Sequence, residues 1–215
     1  RKTESRRNAQ TLLIVNNGPG EQFAVPLGLI NRIERVNRRQ IETIGNRRSL
    51  KYRGGSLPVC AIEDAAAVSP RENLENVPVI VFQIRGREVG LVVSRLRDVV
   101  DVDVEIDQET FRQNGILGSA IILGETTLLV DIFQIVRTSL PDWAPEETAV
   151  QDGEGGSTIL VVEDSDFFRG HMKSFLEETG YSVLEAEDGL RGFQVLDENA
   201  GQVRLVLTDI EMPNL

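Results

Sequence analysis

The chain has 215 residues, with 23 Lys and Arg against 34 Asp and Glu, and a net charge of −11. That length fits one or two domains with a sizeable core and excludes a small module held together by disulfides alone. The negative balance argues against a nucleic-acid partner, because binding phosphates needs the opposite sign.

Cys60 is the single cysteine, so it has no internal disulfide partner. The apolar runs Val77–Ile84 and Gly115–Gly124 fall far short of the roughly 20 residues that span a bilayer. These features predict a soluble, cytoplasmic protein that inserts into no membrane. The charge is uneven: residues 1–140 hold 19 basic and 17 acidic side chains, and 141–215 hold 4 and 17, so two domains of different chemistry are expected. The chain starts at Arg1 with no signal-peptide pattern and stops at Leu215, and it reads as an internal fragment.

Residues 1–9 are charged and lack an apolar period, which marks an upstream linker. From Gln10 short apolar runs recur in pairs around glycine-containing turns: Thr11–Val15 with Gln22–Leu27, Leu50–Arg53 with Leu57–Ile62, Val79–Ile84 with Val89–Val93, and Ala120–Leu123 with Thr127–Ile132. Each pair reads as a β-hairpin. Residues 10–140 are thus one mainly β unit of sandwich or barrel type, and strand count alone leaves one barrel and two barrels both open. Short helical stretches are expected at Asn37–Gly45 and Ile62–Val68.

Residues 141–157 are rich in Pro, Gly and acids and form a flexible, self-repelling linker between the domains. Trp143 within it is either an anchor onto the β unit or an exposed linker aromatic. After the linker the period changes. Thr158–Val162 is a strand; Asp166 precedes a helix over Phe167–Glu178 with Phe168, Met172, Phe175 and Leu176 on one face. Tyr181–Ala186 is a second strand, Gly189–Asn199 a second helix with Leu190, Phe193 and Leu196 as its apolar stripe, and Arg204–Thr208 a third strand. A β-α-β-α-β order predicts a parallel sheet with right-handed crossovers.

The first of these strands ends in Glu163-Asp164 and the third in Asp209. In a parallel, doubly wound sheet those carboxyl ends open onto one crevice. Three like charges gathered there call for a cation, and hard oxygen donors suit Mg²⁺. A metal so held prepares a carboxylate for phosphoryl transfer, with Asp209 the best-placed nucleophile. Pro213 breaks regular structure after it and leaves the Glu211 carbonyl available to the metal.

The segments ILVVEDS and LVLTDIEMPNL, with the helix between them, resemble the receiver domain of two-component response regulators over residues 158–215. The resemblance implies an α/β, flavodoxin-like fold. It also implies that Glu163 and Asp164 form the acidic pair, that Asp209 is the phospho-acceptor, and that the Glu211 backbone carbonyl helps hold Mg²⁺. The pair is Glu-Asp where Asp-Asp is frequent. Receivers of this family have five strands, so the resemblance covers the first three only, and inefficient phosphorylation of Asp209 in this chain is the expectation.

In the β unit, Phe23–Leu27, Tyr52–Val59, Gly90–Leu96, Gly115–Gly118 and Leu128–Asp131 resemble the CheW-like domain of bacterial chemotaxis, over roughly 10–138. That resemblance implies two SH3-like barrels that dock a coupling protein and chemoreceptor tips and carry out no catalysis. Within the family, the Lys51–Gly54 hairpin and basic leading segment resemble the regulatory domain of a CheA histidine kinase. With a receiver behind it, the chain resembles a hybrid CheA, in which a phosphohistidine on a histidine phosphotransfer domain would supply Asp209. A CheV-like adapter without a kinase is the alternative, and a metal-dependent phosphatase a weaker third. Two remaining features have bland readings: His171, the lone histidine, as a helix-surface residue, and Cys60 as a small core hydrophobe. Arg32, Arg35, Arg38, Arg39, Arg47, Arg48 and Lys51 form either a partner-binding face or a solvated one.

Overall fold

A computed structural model of the chain describes residues 10–45, 47–52, 54–84, 86–102, 106–141, 157–178 and 180–208. The described residues fall into two compact units, one within 10–141 and one within 157–208. Residues 1–9 and 142–156, with Trp143, lie outside the described residues.

The first unit opens with β1 (Gln10–Asn16), β2 (Gln22–Pro26), β3 (Ile30–Asn37), β4 (Ile41–Ile44), β5 (Arg47–Tyr52) and β6 (Gly55–Cys60). It continues through β7 (Asn76–Ile84), β8 (Arg87–Val92), β9 (Arg95–Val102), β10 (Ile116–Ile122), β11 (Glu125–Val130) and the helix α1 (Ile132–Ser139). Two sheets result, ordered β10-β11-β2-β1-β9 and β3-β7-β8-β6-β5-β4. All four expected hairpins are present as antiparallel pairs. Parallel pairings of β11 with β2 and of β6 with β8 then join hairpins distant in sequence.

Strand β7 shows why Val77–Phe82 is an unbroken apolar run. Val77, Val79 and Val81 enter one core with Leu50, Leu57, Val59 and Val92, whereas Ile80 and Phe82 enter another with Phe23, Val25 and Leu91. Alternate side chains point to opposite faces of a strand, so a strand buried on both faces must be apolar at every position. Gly90 on β8 sits where a Cβ would lie 2.6 Å from Val79 and 3.0 Å from Val59, which makes glycine a packing requirement there.

Three expectations for this unit are corrected. The stretch Asn37–Gly45 is not a helix: Arg38–Gln40 form a single 3-10 turn and Ile41–Ile44 is strand β4. Asn37 accepts from the Arg39 N–H and Gln40 accepts from the Asn37 N–H, which closes one turn, and the β-branched residues beyond pair with β5. Of Ile62–Val68, only Ile62–Asp64 is helical, again as a 3-10 turn. The strand expected to reach Ile132 stops at Val130, because Asp131 accepts from the Gln134 N–H at 2.9 Å and caps α1. That helix buries Ile132, Ile135 and Val136.

Two further strands escape the sequence pattern. β3 turns Ile30, Arg32, Glu34 and Val36 inward, and two of those four are charged. They are satisfied as a group: Arg32 pairs with Glu88 through both guanidinium nitrogens, its centre lies 5.2 Å from the Tyr52 ring, and Tyr52 donates to Glu34. β9 is charged and largely exposed, and it pairs with β1 across a register shift.

The second unit has β12 (Thr158–Val162), α2 (Asp166–Glu178), β13 (Ser182–Ala186), α3 (Gly189–Glu198) and β14 (Val203–Thr208). Its sheet is parallel, as expected, and ordered β13-β12-β14. The core is Leu160, Val162, Ala186 and Val195, with Leu184, Leu196 and Val203 packed against it. The expected stripe on α3 is corrected: Leu190 and Phe193 are 65% and 70% exposed, and the buried positions are Gly192 and Val195. A Cβ at Gly192 would meet Val162 at 2.9 Å, so this glycine lets the helix approach the central strand.

A charged knot ties the first unit's turns together. Glu63 accepts from Arg71 at 2.6 Å and from the Asn17 side chain at 2.9 Å. Burial pushes the Glu63 carboxyl up, but the Arg71 hydrogen bond and charge, with Asn17, more than offset it and hold it below its ordinary value. A depressed folded-state value means that this stabilisation is full above the ordinary carboxylate range and is lost on acidification through the folded value. Glu63→Gln should therefore cost about 1–3 kcal/mol in urea unfolding at neutral pH. That difference from wild type should shrink toward zero as the pH falls through the carboxylate range.

Candidate metal centre

The central strand β12 pairs on both sides, Val162 opposite Ala186 and Val162 opposite Thr208. All three strands thus end at one level. Beyond it, the Glu163 N–H donates to the Ala186 carbonyl at 3.1 Å, which extends the ladder by one residue. In sequence, the residue after Val162 is Glu163 and the residue after Thr208 is Asp209.

Glu163 is 6% exposed and its Oε1 accepts from the Ser165 N–H at 3.2 Å. Asp164 is half-buried. At the start of α2 the Ser165 hydroxyl accepts from the Phe168 N–H at 3.5 Å. Arg169, one turn into α2, donates to the Glu163 carbonyl at 2.6 Å. Asp188, at the end of the neighbouring strand, accepts from the Arg191 N–H at 2.7 Å and caps α3. Its role is structural.

The structure places Glu163 and Asp164 together at the strand end, while Asp209 and Glu211 lie outside the described residues. Among the described residues no three acids, histidines or cysteines gather. Glu163, buried, and Asp164, next in sequence and half-buried, offer hard carboxylate oxygens of the kind Mg²⁺ takes. The residues present therefore fit that ion. His171 falls within α2. Cys60 is fully buried, with its thiol pushed up to about 12, chiefly by burial, so it remains a neutral core residue.

Residues 12–140 match the family described as the CheW-like domain, and residues 159–215 match the response regulator receiver domain. The chain belongs to the CheW-like domain family. It carries that domain followed by an incomplete receiver domain. It is 24% identical over 207 residues to the "Sensor histidine kinase CheAY" of Helicobacter pylori, covering 91% of this chain and 26% of that protein. It is 23% identical over 179 residues to "Chemotaxis protein CheV3" of the same organism, covering 74% of this chain and 57% of that protein. Among solved structures, the scaffolding protein TtCheW of Thermoanaerobacter tengcongensis matches 58% of this chain and 85% of its own, with 16% identity and a TM-score of 0.49. The chain thus spans about a quarter of the first relative and just over half of the second. No helix among the described residues is long and apolar enough to cross a membrane.

Arg47 is exposed but not without a partner, and the other six basic positions named above divide into two sets. Arg32, Arg48 and Lys51 are paired, with Glu88, Asp64 and Glu42. Arg35, Arg38 and Arg39 are exposed and form no ion pair among the described residues. Arg35 borders a groove of about 720 Å³ between the sheets, with Ile33, Leu74, Pro78 and Leu96 also lining it. Sequence reasoning missed this groove because it lies between β3 and β9, the two strands that the apolar pattern hides.

If the acidic pair holds a divalent cation, millimolar Mg²⁺ should stabilise the receiver unit by about 2.7 kcal/mol at a hundredfold excess over Kd, and so raise its thermal midpoint. Asp164→Asn should abolish that shift in calorimetry.

Proposed function

We propose that the chain is part of a chemotaxis-type hybrid histidine kinase, whose CheW-like unit docks a coupling protein and chemoreceptor tips and whose receiver unit accepts a phosphoryl group on Asp209. The observation that carries the reading is the register Val162 opposite Ala186 and Thr208, after which the sequence places Glu163-Asp164 and Asp209 next in line. The likeness to CheAY over 91% of the chain supports the kinase setting. A CheV-like adapter is the second reading, favoured by the likeness to CheV3 across 57% of that protein.

In the proposed transfer, a phosphohistidine on a histidine phosphotransfer domain meets the Asp209 carboxylate. A carboxylate oxygen forms the new O–P bond while the N–P bond breaks; the imidazole keeps the electron pair, and an aspartyl phosphate results. Glu163, Asp164, Asp209 and the Glu211 carbonyl would hold Mg²⁺, which neutralises charge on the transferring oxygens. Glu163 and Asp164 fix their carboxylates at the strand end before the donor arrives.

The groove bordered by Arg35 supports docking, since exposed Ile33 and Leu96 beside an arginine match the apolar and Arg-rich composition of interface cores. Leu96→Glu should weaken co-sedimentation with chemoreceptor tip fragments by roughly tenfold, with folding unchanged. Equal binding would remove the groove from the docking surface. Sequencing the reading frame outward separates the settings: a nucleotide-binding kinase domain upstream supports the hybrid kinase, and a start codon just before Arg1 supports the adapter.

A further inference from the structure

We infer that Arg169 is a positioning residue for the acidic pair, holding the peptide between Glu163 and Asp164 so that both carboxylates are set before a cation binds. The inference rests on the reading of Glu163 and Asp164 as ligands of a divalent cation.

Only 13% of the Arg169 side chain is exposed, and it is aimed at one backbone atom, the Glu163 carbonyl, 2.6 Å from its Nη1. That carbonyl belongs to the peptide whose orientation fixes the direction of both flanking side chains. The guanidinium is itself held: its Nε faces Glu185 on β13 at 3.9 Å, and the other Glu185 oxygen accepts from Lys173 at 2.5 Å. A relay of Lys173, Glu185 and Arg169 thus links α2 and β13 to the loop that carries the acids. On the opposite side, the Ser165 N–H fixes the Glu163 carboxylate at 3.2 Å. Glu163 is therefore gripped at both its carbonyl and its carboxylate, and Asp164 inherits the same frame. Charge-assisted donation to a buried carbonyl is among the stronger protein hydrogen bonds, which suits a fixed rather than a mobile loop.

Charge and position predict opposite signs. A cation near a metal site repels the metal, so neutralising Arg169 would tighten binding if charge were all that mattered. If Arg169 sets the geometry, losing its hydrogen bond weakens binding, because the acids must then be ordered on arrival of the ion.

The test is Mn²⁺ titration of the purified 215-residue chain, with free Mn²⁺ read by electron paramagnetic resonance. Arg169→Gln and Arg169→Met are compared, two neutral side chains of similar length that differ in having an N–H donor. Thermal midpoints are measured in parallel. The expected result is that Arg169→Met binds three- to tenfold more weakly than Arg169→Gln at comparable thermal midpoints. Equal affinities in the two variants, or a tighter Met variant, would overturn the inference and leave the metal reading intact. Wild type binding no more Mn²⁺ than Asp164→Asn would overturn both. Where a neutral variant does not fold, Arg169→Lys keeps the charge and one donor; it is expected within threefold of wild type, and a loss beyond tenfold would count against the inference.

Discussion

The parallel pairing of β12 on both of its edges is the constraint on which the receiver unit depends. A strand hydrogen-bonded on both sides and covered by helices must be apolar along its length, as Ile159 to Val162 are. Polar residues can enter only past its last apolar position, and even there Glu163 is still buried. Because the neighbouring strands run the same way and stop in register, the loops that leave them share one end of the sheet. Glu163 and Asp164 are polar at the first position where the fold permits it. Gly192 serves the same arrangement from the helix side, since a side chain there would push α3 off Val162.

The CheW-like unit solves a different problem. Its two sheets have no single shared face; instead β7 and β8 contribute to two cores, and α1 fills the first of them with Ile132, Ile135 and Val136. Among the described residues, the half-buried charges of the second sheet are paired, Arg32 with Glu34 and Glu88, Glu34 with Tyr52, and Arg48 with Asp64. Cys60 sits neutral in the first core, and the knot at Glu63 holds turns rather than substrate. These polar groups serve structure, which fits the docking role proposed for this unit.

How much of this was legible in the sequence depended on whether local patterning and tertiary placement agreed. The four hairpins were readable because apolar runs flank glycines that take positive φ, as Gly54, Gly86 and Gly124 do. The β-α-β-α-β order was readable because both periods are undisturbed. Strands β3 and β9 were not, since inward Arg32 and Glu34 break the alternation and β9 is largely solvated. The helix α1 was hidden behind an apolar run that continues from strand into helix, with only Asp131 to mark the change. On α3 the apolar residues Leu190 and Phe193 drew attention from the smaller Gly192 and Val195, which pack with the expected Leu196. The acidic pair was legible from its place after an apolar strand, whereas the grip of Arg169 on Glu163 depends on a turn of helix that periodicity does not reveal.

The central claim is that Asp209 receives a phosphoryl group at this strand end. The most direct measurement incubates the chain, expressed within its full reading frame, with a ³²P-labelled phosphohistidine donor and Mg²⁺. Borohydride then converts the acyl phosphate to a stable alcohol, and the modified residue is located by mass spectrometry. The account predicts label on Asp209 that vanishes in Asp209→Asn and on metal removal. Label on another residue, or none in the presence of a competent donor, would contradict it.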